Sequence, residues 1–208
     1  LALIGFTIQL KGQGRPREAQ LYNQRWPSKL IEKPNLNISG KWADSILKTL
    51  NFKQLVGQTL MIPAWSRNIA VDPVVLSAIE KQEVGGIIFF QGSALSQAYL
   101  QNYYQQSSKL PLLIGIDGEW GLSMRLSNMR KFPFQMTLAA SKDPNYCYNV
   151  GYAIGQQCKL MGVMINFAPD VDVNINPENP IIGFRSIGDD PENIAALAKE
   201  ISQGIRGK

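Results

Sequence analysis

Short apolar segments alternate with amphipathic segments along most of this chain, and this alternation limits the possible folds more than any other feature. The apolar segments occupy residues 60–64, 87–90, 111–116 and 163–168. The amphipathic segments occupy residues 72–82, 93–107, 144–162 and 191–206. Strands that are apolar on both faces and alternate with helices form a parallel sheet covered by helices. The sequence therefore predicts an α/β fold.

The loops after the strands distinguish two parallel-sheet architectures. A doubly wound sheet usually has a glycine-rich turn after its first strand, but neither G-x-G-x-x-G nor G-x-x-x-x-G-K-[ST] is present. A barrel has long functional loops after several strands, and here about 25 residues follow Ile116 and about 20 follow Ala168. A complete barrel needs roughly 250 residues, whereas this chain has 208. We therefore expect the first half of a (β/α)8 TIM-type barrel, with about four parallel strands.

Local signals predict several helix ends and one buried helix face. Asp72 and Asp190 each precede a proline, which is typical of a helix N-cap, and Gly162 is expected to close the 144–162 helix. Two short helices, at about 42–50 and 52–58, are expected before the first strand. The residues of the 93–107 helix expected to face inward are Leu95, Ala98, Tyr99, Leu100 and Tyr103.

The N-terminal region has a different composition from the rest. Residues 1–10 are apolar and the following residues are abruptly polar, so residues 1–14 are interpreted as a signal-peptide remnant and export to the exterior or the periplasm is expected. Ten apolar residues are too few to span a bilayer, which needs about 20. Residues 15–40 are interpreted as an extended lead-in, and residues 41–208 as the partial barrel domain.

Overall charge and residue types argue against several classes of protein. The net charge is +5, but the basic residues are spread along most of the chain, which does not favour nucleic-acid binding. Histidine, the commonest metal ligand and general base, is absent. Cys147 and Cys158 would be about 16 Å apart on one helix, too far for a disulfide, and are expected to be buried free thiols.

The first candidate site follows the third strand, where barrel active sites form. Asp117 comes directly after the apolar segment 111–116. Its carboxylate could accept hydrogen bonds from sugar hydroxyls, or it could simply cap the following turn. Glu119 lies two residues further on, and such a pair invites comparison with the acid and nucleophile of a glycosidase. The glycine between them implies a tight turn that aims the two side chains differently, so this pairing is disfavoured.

The second candidate site lies in residues 166–188, after the fourth strand. The D-x-D-x-N run beginning at Asp170 is similar to a calcium loop, but Ile175 and Ile181 occupy the positions of its obligatory Gly and Glu, so no metal is expected. Asp170 and Asp172 are expected to bond amides of their own loop. Arg185 follows the apolar residues 181–184, which could pin it in place; it is either a ligand-binding guanidinium or a solvated surface charge.

Together, five segments resemble the N-terminal barrel domain of glycoside hydrolase family 3. The resemblance runs from about Trp42 to the end of the chain and is carried by VGGIIFF (84–90), PLLIGIDGEWGLSMRL (111–126), FPFQMTLAA (132–140), GQQCKLMGVMINFAPDVDVN (155–174) and FRSIGDDPENIAALAKEISQGI (184–205). It implies retaining hydrolysis of terminal β-linked sugars through an Asp nucleophile, without a cofactor. It also implies that Asp117, Arg125 and Arg185 bind the sugar. The sequence of residues 118–126 resembles the β-N-acetylhexosaminidase branch more than the glucosidase branch.

The resemblance further implies that the catalytic groups of the family, including a histidine, belong to segments that would follow Lys208. We therefore expect binding residues but no catalytic residues in this chain, as in a fragment of a larger enzyme. Three alternatives stay open: a β-glucosidase or β-xylosidase of the same family, a truncated protein that binds sugar without cleaving it, and a barrel enzyme of other chemistry, such as a phosphate-binding one.

Overall fold

The alternation of strands and helices is present in the computed structural model, which describes residues 39–176 and 178–207. The chain divides into two units, residues 1–46 and residues 47–208. The interpreted signal remnant (1–14) and nearly all of the interpreted lead-in (15–40) lie outside the described residues. Of the first unit, only part of a helix is described.

The described helices and strands follow one another as the sequence predicts, with some additions. In chain order they are α1 (Ser39–Leu47), α2 (Phe52–Gly57), β1 (Met61–Ser66), α3 (Pro73–Glu80), β2 (Gly86–Ser93), α4 (Ala94–Ser107), β3 (Leu113–Ile116), β4 (Leu126–Ser127), α5 (Gln135–Ala140), α6 (Pro144–Leu160), β5 (Ile165–Asn166) and α7 (Pro191–Arg206). Short 3-10 turns occupy Leu122–Met124 and Gly183–Arg185.

All strand pairs in the described sheet are parallel, which confirms the predicted fold class. The main order is β1-β2-β3-β5, and the two-residue strand β4 pairs with β2. Within the described residues β1 and β5 each pair on one side only, so the barrel is not closed. The sheet is therefore a partial barrel, and helices join its consecutive strands except β3 and β4, which are joined by a loop with one 3-10 turn.

The two faces of the sheet differ sharply in exposure. Rows of paired residues on one face, such as Ala64, Phe89 and Ile116, are fully buried under the helices. Alternate residues point to the opposite face, and there Trp65 and Leu113 are each 46% exposed. In a closed barrel that face would be the interior, so the open sheet leaves apolar side chains in contact with water.

Helices α6 and α7 pack unusually closely because glycines lie at their crossing. A Cβ added at Gly155 would lie 2.9 Å from the carbonyl carbon of Ile205, and one added at Gly151 would lie 3.0 Å from that of Ile201. Gly204 of α7 likewise meets the backbone of α6 at Tyr148. At these glycines the backbones of the two helices are in direct contact, which is possible only where there is no larger side chain.

Several local predictions are confirmed. Asp72 accepts hydrogen bonds from the Val74 and Val75 amides and caps α3, and Asp190 caps α7 through the Glu192 amide. Gly162 follows α6 with a positive φ of 66°, the conformation expected of a closing glycine. Cys147 and Cys158 are free and buried.

Other local predictions are wrong in detail. In α4, Leu95 and Tyr103 are exposed, whereas Gln97 and Tyr104 are buried, because the face of α4 that meets the sheet is rotated from the expected one. The strand expected at residues 163–168 pairs only at Ile165–Asn166. The residues after Ile116 were predicted to form one long loop, but they contain β4 and α5. The prediction missed these elements because their apolar segments are short and are ordered by packing on residues distant in the sequence.

No helix among residues 39–176 and 178–207 has the length and apolar character needed to cross a bilayer.

Candidate functional site

The carboxyl ends of β3 and β5 carry the polar side chains that the sequence analysis singled out. Asp117 and Glu119 follow β3, and Asp170 and Arg185 lie in the loop that follows β5. Because β3 and β5 are neighbouring parallel strands, their following loops begin at the same edge of the sheet. Two ion pairs at this edge define the candidate site.

The first ion pair joins Asp117 to Arg125. The Nη2 of Arg125 donates to Oδ2 of Asp117 at 2.6 Å, and the side chains are 17% and 24% exposed, respectively. The guanidinium carbon of Arg125 also lies 5.0 Å from the centroid of the Phe90 ring, a cation–π contact. Asp117 thus takes an arginine as its partner, and Arg125 is held by contacts on two sides.

The second ion pair joins Arg185 to Glu119, and it is largely buried. Nε of Arg185 lies 3.1 Å from both carboxylate oxygens of Glu119, and Nη2 donates to Oε1 at 2.8 Å. The Glu119 side chain is only 4% exposed, whereas that of Arg185 is 30% exposed. These hydrogen bonds, with the negative charges of Glu119, Asp170 and Asp172, raise the pKa of Arg185 despite its partial burial.

Asp170 adds a second carboxylate to the same guanidinium. Its Oδ2 lies 3.3 Å from Nη2 of Arg185, within ion-pair distance but without hydrogen-bond geometry. Its Oδ1 accepts a hydrogen bond from the Asp172 amide at 2.9 Å. Asp172 itself contributes through its backbone, because its carbonyl accepts a hydrogen bond from the buried Ser186 hydroxyl at 2.6 Å.

The turn that carries Asp117 and Glu119 is fixed by two amide side chains. Asn166, at the end of β5, accepts a hydrogen bond from the Gly118 amide at 2.8 Å and donates to the Gly118 carbonyl at 3.2 Å. Gln157 of α6 accepts from the Leu122 amide at 2.9 Å and donates to the Arg130 carbonyl at 3.0 Å. The backbone between the two carboxylates therefore has little freedom.

Aromatic side chains support the Arg185 loop from the side. The Phe184 ring lies 4.4 Å from that of Phe134, which in turn packs edge-on against Trp120 at 4.8 Å. The predicted apolar tether is thus present at Phe184. Ile181, which was expected to share this role, is 66% exposed.

Three residues of this site were predicted from the sequence, whereas the role considered there for Glu119 differs from the one it has in the structure. Asp117, Arg125 and Arg185 all lie in or against the turn after β3. Glu119 was weighed only as a catalytic carboxylate, whereas it is the buried partner of Arg185. Its position in a glycine-containing turn after an apolar strand was a signal for burial, but its partner lies 66 residues away.

In the described part of the chain, no group of three or more His, Cys, Asp or Glu side chains is arranged to hold a metal ion. The carboxylates of the site are instead paired with arginines. Such pairs offer rigid donors and acceptors for the hydroxyl groups of a polar ligand.

Comparison with known proteins places this arrangement in a family. Residues 52–208 match the Glycosyl hydrolase family 3 N terminal domain. The chain belongs to glycosyl hydrolase family 3. This confirms the resemblance noted in the sequence, although the match begins later than Trp42.

Proteins similar to this chain include enzymes with different activities. Beta-hexosaminidase A of Pseudoalteromonas piscicida is 32% identical in an alignment of 175 residues that covers 71% of this chain and 29% of that protein. A family 3 beta-N-acetylglucosaminidase of Paenibacillus sp. has 35% identity and a TM-score of 0.69, covering 76% of this chain and 31% of that one. The beta-glucoside phosphorylase BglX has 26% identity and a TM-score of 0.71, covering 80% and 30%. The family 3 chain described here thus spans less than a third of the length of these relatives.

Proposed function

We propose that this chain supplies the sugar-binding edge of a retaining β-glycosidase, a β-N-acetylhexosaminidase that removes terminal β-linked sugars. The observation that carries the proposal is the pair of arginine–carboxylate ion pairs at the carboxyl ends of β3 and β5. The choice of sugar is supported by the β-hexosaminidase at 32% identity and the beta-N-acetylglucosaminidase at 35% identity.

Each of the three binding residues has a chemical role in the proposal. Asp117, bound on one oxygen by Arg125, accepts hydrogen bonds from sugar hydroxyls through its remaining lone pairs. Arg125 and Arg185 donate to sugar oxygens from guanidinium groups that are already oriented by their carboxylate partners. Because the partners hold these side chains before the ligand arrives, little side-chain entropy is lost on binding.

The proposal assigns binding rather than bond cleavage to these residues. Asp117 and Glu119 are each committed to an arginine, and Glu119 is nearly inaccessible to solvent. A glycosidase nucleophile or acid must reach the anomeric centre or the glycosidic oxygen, which a buried, bidentate-paired carboxylate does not.

The test uses the product of the complete reading frame that contains this chain. We expect it to hydrolyse an aryl β-N-acetylglucosaminide faster than an aryl β-glucoside or β-xyloside. In the Asp117→Asn and Arg185→Lys variants, KM should rise about 10- to 100-fold, since each change removes a charge-assisted hydrogen bond worth about 1.5–3 kcal/mol. Glu83→Gln is the matched control, because it alters a surface ion pair with Lys53, which is 76% exposed.

The assay also separates the competing functions. Preferential cleavage of the glucoside would favour a β-glucosidase or β-xylosidase. Turnover that requires inorganic phosphate would favour a phosphorylase. Binding of N-acetylglucosamine without hydrolysis of any glycoside would favour a truncated binding protein. Variants at Asp117 and Arg185 that kept normal KM values would contradict the proposed site itself.

We also propose that the protein is exported from the cytoplasm. It is supported by the apolar residues 1–10 followed by a polar segment. Fractionation of the source cells, followed by N-terminal sequencing of the protein, tests it. Recovery of the protein only from the cytoplasm, with residues 1–14 retained, would contradict it.

A further inference from the structure

The Arg185 guanidinium is held almost entirely by two acidic side chains. Of its five N–H groups, the one on Nε and one on Nη2 donate to Glu119, and the Nη2 atom also lies 3.3 Å from Oδ2 of Asp170 without hydrogen-bond geometry. Nη1 has a long hydrogen bond to the Ile181 carbonyl at 3.4 Å. Within the described residues, one Nη1 hydrogen is therefore left for a ligand.

Glu119 is in contact with Arg185 and is almost closed off from solvent. Its side chain is 4% exposed, and both of its oxygens face Nε of Arg185. The turn that carries it is tied to β5 through the two hydrogen bonds between Asn166 and Gly118. Arg185, by contrast, belongs to a loop more than 60 residues later in the chain, and it is 30% exposed.

We propose that Glu119 is a positioning residue, which sets the direction of the Arg185 guanidinium so that its free Nη1 edge meets the bound sugar. This inference rests on the proposed function, since Arg185 is taken as a sugar ligand. Glu119 contacts no sugar itself and acts only through Arg185. Asp170 has a lesser part, because its contact with Nη2 lacks hydrogen-bond geometry.

Glu119→Gln is the informative change because it preserves shape and removes the charge. A glutamine has one oxygen and an NH2 group that would face the guanidinium, so the bidentate pairing is lost. Misplacing a binding group by about 1 Å costs on the order of 100-fold in rate. We expect kcat/KM for the aryl β-N-acetylglucosaminide to fall about 10- to 100-fold, mainly through a higher KM. Asp170→Asn should cause a smaller loss.

A double-mutant cycle with Arg185→Met tests whether Glu119 acts through Arg185. In the Arg185→Met background, Glu119→Gln should change kcat/KM by less than about twofold. The double variant removes both charges of this pair together, so Glu119 is not left buried and unpaired. The loss of the Asp170 contact is common to both proteins that carry Arg185→Met, so it cancels in the comparison. Equal losses from Glu119→Gln with and without Arg185 would overturn the proposal, as would a drop in melting temperature with unchanged KM. Glu83→Gln is again the control that should leave activity unchanged.

A second readout keeps this inference separate from the proposed function. In protein labelled with 15N-arginine, the Nε–H signal of Arg185, identified by its loss in Arg185→Lys, should exchange slowly with solvent and become fast-exchanging in Glu119→Gln. If the wild-type protein cleaves no glycoside but this change occurs, the proposed function fails, whereas the orientation of Arg185 by Glu119 stands. If the signal is the same in both proteins, the positioning role is wrong whatever the activity.

Discussion

Replacing Gly155 by alanine tests how tightly α6 and α7 are joined. On propensity alone, alanine in the middle of a helix should stabilise the protein by up to about 1 kcal/mol relative to glycine. From the structure we expect the opposite effect at this position, a loss of stability. The added Cβ would lie 2.9 Å from the carbonyl carbon of Ile205 and nearer still to its oxygen.

The expected magnitude follows from this overlap. Carbon atoms in contact are normally about 3.5–4.0 Å apart, so the two helices must separate by between about 0.5 and 1 Å. A gap of that size forfeits roughly a quarter to a half of each van der Waals contact along the interface, which includes the buried residues Ile154, Leu197 and Ile201. Overpacking costs about 1–3 kcal/mol, and a contact with backbone, which cannot move aside as a flexible side chain can, belongs in the upper part of that range, at about 2–3 kcal/mol. After the gain in propensity, a net loss of about 1–2 kcal/mol remains.

Thermal and urea denaturation of the purified protein measure this effect. For a domain of this size, the expected loss corresponds to a fall in melting temperature of about 2–8 °C. Gly40→Ala is the matched control, since Gly40 is also helical but an added Cβ would meet nothing within 4 Å; it should leave the melting temperature unchanged or slightly higher. A Gly155→Ala variant as stable as the wild type, or more stable, would refute the close backbone contact.

Two of the three remaining predictions use the same stability measurements, and the third is tested by self-association and dye binding. Asp72→Ala should destabilise the protein by about 1 kcal/mol, because the Val74 amide loses its cap at the start of α3, and Asp72→Ser should restore most of this; equal stability of all three proteins would contradict the cap. Burial raises the pKa of Cys158 to about 11 from an ordinary 9.0, so the thiol contributes stability that is complete below about pH 9 and is lost as the pH rises towards 11. Urea titrations of the wild type and of Cys158→Ala across that range check this, and parallel pH profiles would refute it. The 208-residue chain alone should self-associate or bind a hydrophobic dye, because Trp65 and Leu113 on the uncovered sheet face are each 46% exposed; a monodisperse monomer that melts cooperatively would contradict this.

The predictions that succeeded from the sequence concern interactions between near neighbours. Asp72 and Asp190 could be recognised as caps because a cap bonds an amide two or three residues along the chain. The strands were recognisable because burial on both faces requires an unbroken apolar run.

The predictions that failed depended on distant partners. Whether Tyr103 or Tyr104 of α4 faces the core depends on how the helix is rotated on the sheet, and both residues are equally apolar in the sequence. The role of Glu119 could not be predicted for the same reason. A carboxylate after a strand can be a nucleophile, a sugar ligand or the partner of an arginine, and the local sequence is the same in each case.

The sequence by itself determined the parallel α/β architecture and the ends of several helices, because these follow from residue type and spacing over one or two turns. Asp117, Arg125 and Arg185 were named as candidate ligands through the resemblance to a known family. Tertiary structure alone decided that Arg125 pairs with Asp117 and Arg185 with Glu119. A charged side chain takes whichever partner the folded backbone brings within about 4 Å, and that distance is set by how β3 and β5 pair and by where their loops turn.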